Sequence, residues 1–276
     1  MQDKKHIVIT IDKKYSTYGA IMLYSLLSNN DPAQYHIHII KDFNNAILEI
    51  PIKYVLKKHN CTHTFYCISS EDIELKDDLL ISDHISVATY FRLFLPKLIQ
   101  DIDEILFLDS DIIVDGNIEE LFNTTKLKDV ALAAVIIDNE ERKNVLRLTR
   151  AYFNAGVMFL NLSYLKANNY MPKFMAFQKQ NKEKIHFWDQ DILNAVVNDN
   201  YVSLNDKWNY ISPEQHLNSP PIIIHYAGIH KPWTFLSKHP LKHKYFEYAR
   251  KDKFLWLINS VIQKYDALKR KLNIEI

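Results

Sequence analysis

Two carboxylates, Asp109 and Asp111, flank Ser110 directly after the apolar run 105–108. Residues two apart on an extended segment point to the same side, so we expect both carboxylates to face one site. Two like charges that close raise each other's pKa unless a cation lies between them, and an all-oxygen pair suits Mg²⁺ or Mn²⁺. Such ions usually keep positions open for phosphate oxygens. The pair therefore predicts a metal site for a nucleotide diphosphate, although alone it is equally typical of a solvated turn.

A second group of chemically active residues lies at 225–233 (HYAGIHKPW), directly after the apolar run 222–224. It contains an imidazole at His225, a glycine at Gly228 and an ammonium group at Lys231. These fit a metal ligand, a backbone that a ligand approaches closely, and a counter-charge for phosphate. We therefore expect this segment to complete the metal site of the two carboxylates.

Apolar periodicity predicts the elements that position these groups. We predict strands at 6–11, 35–40, 62–68 and 131–137, and helices at 18–27, 47–58, 90–95 (ended by Pro96), 118–122, 164–180 (broken near Pro172) and 189–197. Alternating strands and helices indicate an α/β fold with a mostly parallel sheet covered by helices. Ligands of such sheets collect at the carboxyl ends of the strands. Asp12, Asp109 and His225 each follow an apolar strand, so we expect them to share one cleft.

Six ordered segments resemble glycosyltransferase family 8, the retaining, nucleotide-sugar-dependent group that includes lipooligosaccharide galactosyltransferases and glycogenin. They are TIDKKY at 10–15, HISVATYFRL at 84–93, FLDSD at 107–111, YFNAGV at 152–157, WDQDILN at 188–194 and HYAGIHKPW at 225–233. The resemblance implies the GT-A fold, in which a Rossmann-like nucleotide-binding layer is fused to the acceptor-binding part. It also implies a metal-dependent hexosyltransferase that moves galactose or glucose from a UDP-sugar to a glycan with retention.

On the nucleotide side, the resemblance implies that Mn²⁺, with Mg²⁺ as the alternative, is held by Asp109, Asp111 and His225. The implied diphosphate contacts are Lys231, His84 and the Gly228 backbone, and the implied uridine-binding segments contribute Thr10, Asp12, Tyr15 and Ser110. A carboxylate can accept a hydrogen bond from uracil, and a tyrosine ring can stack on it. Many relatives have Asn where this chain has Lys14, so we expect its base and ribose contacts to differ.

On the sugar side, the resemblance implies a polar pocket and catalytic groups at Arg92, Asn154, Gly156, Asp189 and Gln190, with Asp138 nearby. A buried sugar hydroxyl without a partner costs about 1–3 kcal/mol, so a hexose needs such a set. Retention requires a covalent intermediate, or front-face attack in which the leaving phosphate takes the acceptor proton. The resemblance gives Gln190 the nucleophile's position. Because an amide is a poor nucleophile, front-face attack is our hypothesis.

Glycine is scarce, with four in 276 residues, so each one is expected to meet a backbone need. Gly156 and Gly228 lie inside the matching segments, where a missing Cβ would allow a sugar and a diphosphate to approach. For Gly116 we expect a different need, a turn that requires a positive φ.

Length and composition predict one catalytic domain at 1–233 and a small helical appendix at 234–276. The appendix has ten Lys/Arg against four Asp/Glu, a net charge of +6, which leaves −5 for the rest of the chain. Its apolar residues recur at helical spacing, at Phe254, Trp256, Leu257, Ile258, Val261, Tyr265 and Leu268. Such a basic amphipathic helix either lies on an anionic membrane surface or docks its apolar stripe on the core.

Other features of the chain restrict its location and partners. No long apolar span and no cleavable leader are visible, so we expect a cytoplasmic protein, peripheral on the inner face of the membrane if the appendix binds lipid. Cys61 and Cys67 are expected to be reduced core thiols. No nucleic-acid-binding module is visible, and nucleic acid is not an expected partner. The sequence leaves the oligomeric state open.

Three other functions share parts of this pattern. Haloacid-dehalogenase-like phosphatases also place Asp-x-Asp at a strand end, but they need Thr or Ser soon after it, where this chain has Ile112, Ile113 and Val114. A non-catalytic nucleotide-sugar-binding protein would not need every catalytic group that is present here. A self-glucosylating enzyme similar to glycogenin fits the basic appendix less well than a transferase for a lipooligosaccharide or glycoprotein acceptor.

Overall fold

The computed structural model of the chain describes residues 4–68, 87–212, 215, 217, 219–234 and 236–271. The strands in these ranges are β1 Lys5–Ile11, β2 Tyr35–Lys41, β3 Thr62–Cys67, β4 Glu104–Leu108, β5 Ile112–Val114, β6 Leu132–Ile136, β7 Phe153–Asn161, β8 Tyr201–Leu204 and β9 Ile223–His225. The α-helices are α1 Ser16–Asn29, α2 Ala46–Lys58, α3 Leu95–Leu98, α4 Glu119–Thr124, α5 Glu140–Leu146, α6 Leu162–Ala167, α7 Tyr170–Gln180, α8 Trp188–Val197, α9 Lys242–Lys251 and α10 Lys253–Lys271.

Seven of the strands form one sheet in the order β3-β2-β1-β4-β7-β6-β8. The first four pair in parallel, β7 runs antiparallel to both of its neighbours, and β6 pairs in parallel with β8. The expected mostly parallel sheet covered by helices is therefore confirmed, with β7 as the antiparallel exception. A small antiparallel ladder of β5 and β9 stands apart from the main sheet.

Both faces of the central strand β1 are buried, which accounts for its continuous apolar sequence. Ile7, Ile9 and Ile11 belong to a cluster that includes α1 and α2 residues. Val8 points to the opposite face and joins a second cluster with Phe91 and the residues that follow it. The sheet therefore lies between two hydrophobic layers, and polar side chains of the site project only where its strands end.

Two helix predictions around proline were wrong in detail. Pro96 does not end a helix; it lies in the first turn of α3, after a run of 3₁₀ turns at Val87–Phe94, where its missing N–H costs nothing. The break between α6 and α7 occurs before Asn169, which has a left-handed φ of 53°, and not at Pro172. Pro172 is again accommodated in the first turn of a helix. Both prolines therefore mark the beginning of a helix.

The first part of the C-terminal segment packs on the main core. Tyr245, Tyr248 and Leu255 are buried in the same cluster as β1 and α1, so α9 docks on the catalytic part of the chain. The opposite face of α10 is bare, because Leu257, Val261, Tyr265 and Leu268 are between 55% and 62% exposed. Among the described residues, no helix has the length and apolarity that crossing a bilayer requires.

Candidate metal centre and active site

The Asp109–Asp111 segment forms a turn between β4 and β5 and is not extended. Its first residue donates a backbone hydrogen bond to Gly156 O of β7 (2.9 Å), and Ser110 Oγ donates to Thr10 O at the end of β1 (2.6 Å). Both carboxylates still face one site, but the tethered turn produces this arrangement. The strand alternation from which we predicted it does not apply here.

The β5–β9 ladder brings His225 beside the two carboxylates. His225 pairs with Ile112 in the ladder, and Tyr226 N donates to Asp111 O at 3.0 Å. His225 Nε2 lies 3.4 Å from Asp111 Oδ1 and 3.7 Å from Asp109 Oδ2. One ligand atom from each of these three residues lies within 4.8 Å of the others. Atoms that share one divalent ion at about 2.0–2.6 Å have such separations, so the geometry fits a metal site.

Each carboxylate of this metal-capable trio has its other oxygen bound by a cation. Arg92 donates to Asp109 Oδ1 at 2.8 Å, and Lys231 Nζ donates to Asp111 Oδ2 and to Tyr226 O. Burial alone would raise the pKa of Asp111, but Lys231 and His225 outweigh burial and hold that pKa below its ordinary value. The oxygens that face the imidazole therefore belong to an ionised Asp111 and an Arg92-paired Asp109.

Gly156 leaves room for the imidazole. A Cβ at this position would lie 2.1 Å from His225 Cε1 and 2.7 Å from Asp109 Oδ2, which no side chain tolerates. The space that we assigned to a sugar is therefore taken by His225. Gly228 has φ of +82° with open space around it, whereas Gly116 does not have positive φ. The turn interpretation thus fits Gly228, and our expectation for Gly116 was wrong.

A run of side-chain hydrogen bonds leads away from the imidazole. His225 Nδ1 lies 3.0 Å from Asn209 Oδ1, and Asn209 Nδ2 donates to Asn154 Oδ1 at 2.8 Å. Asn154 Nδ2 then donates to Gln190 Oε1 at 3.0 Å. The metal-capable trio and the amide expected beneath the sugar are therefore joined by direct contacts.

The run continues to a buried anion. Gln190 Nε2 donates to the Tyr152 hydroxyl at 3.1 Å, and that hydroxyl donates to Asp191 Oδ1 at 2.6 Å. Asp191 is 0% exposed, pairs with Arg142 at 2.7 Å, and accepts the backbone N–H groups of 186 and 187. Asp191 thus anchors the loop before α8. We did not single out Asn209, Tyr152, Arg142 or Asp191 from the sequence, although two of them lie within matching segments.

Arg92 and Asp189 form the other wall of this pocket. Arg92 Nη1 donates to Ala155 O at 2.7 Å, and its Nε, which hydrogen-bonds to Thr89 O, lies 2.9 Å from Asp189 Oδ2. Asp189 is 3% exposed, and its Oδ2 atom accepts no hydrogen bond in spite of this ion-pair contact. Burial raises the pKa of Asp189 to about 7, against the opposing effect of Arg92. This oxygen is thus ion-paired with Arg92 but accepts no hydrogen bond.

The residues expected around uridine lie at the end of β1. Asp12 Oδ1 accepts the backbone N–H groups of Lys14 and Tyr15, both at 2.8 Å, so one of its oxygens shapes the turn. Burial raises the pKa of Tyr15 well above its ordinary value, with the charges of Asp111 and Asp12 adding to it. Trp233 packs edge-on against Tyr15, with ring centroids 6.0 Å apart. The 225–233 segment therefore closes over this end of the sheet.

Asp138 is exposed in the loop between β6 and α5, and it is not part of the metal-capable trio. His84 lies outside the described residues. The roles assigned to all site residues from the sequence stay predictions.

The mixed, mostly parallel sheet, with two carboxylates and a late histidine meeting beside it, is the arrangement that the sequence led us to expect of the GT-A fold. The glycosyl transferase family 8 model matches residues 6–237, and the chain belongs to that family.

The chain is 29% identical over 272 residues to the lipopolysaccharide 1,2-glucosyltransferase of Escherichia coli, covering 90% of this chain and 76% of that protein. It is 26% identical over 268 residues to the lipopolysaccharide 1,3-galactosyltransferase of Salmonella typhimurium, covering 90% and 78%. The solved galactosyltransferase LgtC, in complex with donor and acceptor sugar analogs, has a TM-score of 0.80 at 24% identity, over 90% of this chain and 96% of that one. The last likeness establishes the fold.

Proposed function

We propose that this protein transfers a hexose from a UDP-sugar to a glycan acceptor, with retention of configuration and with a divalent metal ion. The observation that carries the proposal is the geometry of Asp109, Asp111 and His225. Their three ligand atoms converge while Arg92 and Lys231 bind the remaining carboxylate oxygens. Because the chain belongs to glycosyltransferase family 8, sugar transfer is favoured over the phosphatase alternative.

The donor set fits Mn²⁺, because it combines two carboxylates with an imidazole, and Mg²⁺ is the alternative. When bound, the ion would neutralise charge on the diphosphate and make the departing nucleotide less basic. Lys231 adds a positive charge beside Asp111 and is the proposed side-chain contact of the diphosphate, together with His84 and the Gly228 backbone. The positive φ of Gly228 would turn that backbone toward the ligand.

The uridine is proposed to bind at the end of β1, at Thr10, Asp12, Tyr15 and Ser110. One oxygen of Asp12 is used by the turn, which leaves the other to accept a hydrogen bond from the base. The Tyr15 ring is proposed to stack on that base, backed by Trp233. Ser110 would act through its tether to Thr10 and not by direct contact.

The hexose is proposed to bind between Arg92, Asn154, Asp189 and Gln190, with Asp138 nearby. The buried Oδ2 of Asp189 supports this site, since it is ion-paired with Arg92 but accepts no hydrogen bond, and a sugar hydroxyl would supply one. Gly156 would take part by making room for His225. Relatives named for glucose and for galactose match this chain about equally, so both sugars are proposed donors.

Front-face attack is the proposed route to retention. The carbonyl oxygen of Gln190 already accepts hydrogen bonds from Asn154 Nδ2 and Ala155 N, both at 3.0 Å. An amide oxygen so engaged is an even poorer nucleophile than a free one. We expect Gln190→Ala to lower turnover. We also expect no covalent glycosyl intermediate to form on the wild-type protein. Complete loss of activity in the variant, together with a glycosyl adduct trapped on wild-type Gln190, would contradict the front-face route.

The acceptor is proposed to be a cell-surface glycolipid such as lipooligosaccharide, or a glycoprotein, and the protein to work at the inner face of the cell membrane. The bare stripe of α10, bordered by Lys253, Lys264 and Lys269, supports attachment to an anionic bilayer. Deleting 243–276 would test this poorly, because it removes Tyr245 and Tyr248 from the core. The triple variant Leu257→Ser, Val261→Ser, Leu268→Ser should instead weaken binding to anionic liposomes at unchanged donor hydrolysis, and unchanged liposome affinity would exclude this surface.

The decisive experiment is a panel of UDP-sugars incubated with the protein, with and without Mn²⁺, in which UDP release is measured. We expect release from UDP-galactose or UDP-glucose that EDTA abolishes and that Asp111→Asn removes. The variant Lys207→Ser, which removes the ion pair between Lys207 and Glu120 and leaves the trio unchanged, is the control for general damage. Tight donor binding without UDP release would indicate a non-catalytic binding protein, and release of inorganic phosphate from a monoester would restore the phosphatase alternative.

A further inference from the structure

Five hydrogen bonds connect the metal-capable trio to the buried Asp191 carboxylate. They run from His225 through Asn209, Asn154, Gln190 and Tyr152, over distances between 2.6 and 3.1 Å. The amide groups in this run could each point either way, since oxygen and nitrogen of an amide have the same shape. Which way they point decides what the imidazole can do.

Two backbone groups fix the direction of the run. Ala155 N donates to Gln190 Oε1 at 3.0 Å, and Gly156 N donates to Asn154 Oδ1 at 2.9 Å. A backbone N–H can only donate, so the side-chain atom that faces it must be an oxygen. The orientations of Gln190 and Asn154 are therefore set by β7.

The orientation of Asn209 follows from that of Asn154. The atom of Asn209 that faces Asn154 Oδ1 must be its NH₂ group, because two oxygens would repel each other. The other end of Asn209 is then an oxygen, and it lies 3.0 Å from His225 Nδ1. Oxygen can only accept here, so Nδ1 must carry a proton. In the neutral ring, this leaves the lone pair on Nε2, which faces Asp109 and Asp111.

We propose that Asn209 is a positioning residue that holds His225 in the Nδ1–H tautomer, so that Nε2 stays available as a metal ligand. The inference rests on the proposed metal-dependent transfer and adds a residue that sets the competence of its metal centre. The charges around the imidazole create the need for such a residue. Two carboxylates within 3.7 Å of Nε2 favour a proton on that nitrogen, and Asn209 supplies the opposing acceptor.

Burial makes the contact effective. Asn209 is 0% exposed and His225 is 3% exposed, so water is not at hand to replace the amide oxygen. Without that oxygen, the ring would gain by moving its proton to Nε2 and donating it to a carboxylate. The metal-binding nitrogen would then be blocked until the proton moved back.

Two substitutions separate the acceptor from the rest of the side chain. Asn209→Leu keeps the volume and removes the acceptor, whereas Asn209→Asp keeps an oxygen for Nδ1–H whether its carboxyl is ionised or protonated. Asn259→Leu is the matched control, because Asn259 is also 0% exposed but bonds to Tyr245 in the α9–α10 region. All three variants lose a buried amide, and only one loses the contact to His225.

The first measurement is the tautomer itself, by ¹⁵N NMR of the imidazole at alkaline pH, where the protonated and the unprotonated nitrogen of a neutral ring give separate signals. The His225 signals are assigned by their loss in His225→Gln. We expect a protonated Nδ1 in the wild type, Asn209→Asp and Asn259→Leu, and a protonated Nε2 in Asn209→Leu. A wild type with its proton on Nε2 would overturn the inference without any variant having to fold.

The second measurement is Mn²⁺ affinity, from the free-ion signal in electron paramagnetic resonance. Loss of a partner behind a metal ligand typically weakens binding by about 10- to 100-fold, which is expected for Asn209→Leu alone. Equal weakening in Asn209→Asp or in Asn259→Leu would overturn the inference. If the wild type has the expected tautomer and affinity but releases UDP from no donor, the proposed function fails and this inference stands. If the wild type releases UDP normally and Asn209→Leu changes neither the tautomer nor the Mn²⁺ affinity, this inference fails and the proposed function stands.

Discussion

Replacing Gly156 by alanine should severely weaken metal binding while leaving the sheet intact. The added Cβ would lie 2.1 Å from His225 Cε1, and ordinary contacts begin at 3.4 Å, so the ring must move by about 1.3 Å. It cannot move freely, because Nδ1 is held by Asn209 and the backbone is paired in the β5–β9 ladder. Metal ligands tolerate displacements of only about 0.2 Å.

From this displacement we expect Mn²⁺ affinity to fall by at least about 100-fold, more than the loss of a partner behind a ligand would cause. Overpacking should also cost about 1–3 kcal/mol of unfolding free energy. Affinity is measured from the free Mn²⁺ signal during titration, and unfolding by urea in the presence of EDTA. The two measurements keep the loss of metal binding separate from loss of fold.

Gly116→Ala is the matched control, since its Cβ would meet Ile222 Cγ2 at an ordinary 3.4 Å. It should bind Mn²⁺ within about threefold of the wild type, a difference under 1 kcal/mol. If folded Gly156→Ala also bound Mn²⁺ that well, the imidazole would not be the group that needs this glycine. The assignment of His225 as a ligand would then be refuted.

Three further predictions concern stability. Mn²⁺ at about 100 times its dissociation constant should add about 2.7 kcal/mol to the unfolding free energy of the wild type, and calorimetry should find no such gain in Asp111→Asn. Asp191→Ala leaves Arg142 buried without its partner, so urea unfolding should show a loss of about 3–5 kcal/mol; a loss under 1 kcal/mol would contradict that anchoring role. Burial, helped by His36 and His6, lowers the pKa of His38 to about 3. The unfolded chain therefore binds the extra proton as pH falls below 6.5, and roughly 2–3 kcal/mol of stability should be lost by about pH 4.5, a slope that His38→Gln should flatten.

Much of the fold could be predicted from apolar periodicity, because β1, β2 and β4 are buried on both faces and α1 and α2 follow strands in turn. The antiparallel β7 could not, since it is buried on both faces like a parallel strand and nothing in its sequence marks its direction. The kink between α6 and α7 was also missed in position. It depends on the left-handed φ of Asn169, which an asparagine permits without requiring.

The candidate site also contains residues that the sequence predicted and residues that it did not. Asp109, Asp111 and His225 were predictable because charged or metal-binding groups stood directly after apolar runs. Asn209 gave no such signal, since a buried asparagine is recognised by its partners, and these come from β7 and β9 through tertiary packing. Gly156 was singled out as room for a sugar, and the structure shows His225 in the space that its Cβ would take. Sequence shows that a Cβ is absent but does not show which group fills the space.

The β5–β9 ladder has a consequence for how the protein is made. All seven strands of the main sheet are complete by Leu204, but the imidazole arrives only with the strand that ends at His225. A ribosomal product that stopped between these points would contain every strand of the large sheet and two acidic groups with no imidazole between them. Such a product would lack one of the three groups of the metal-capable trio.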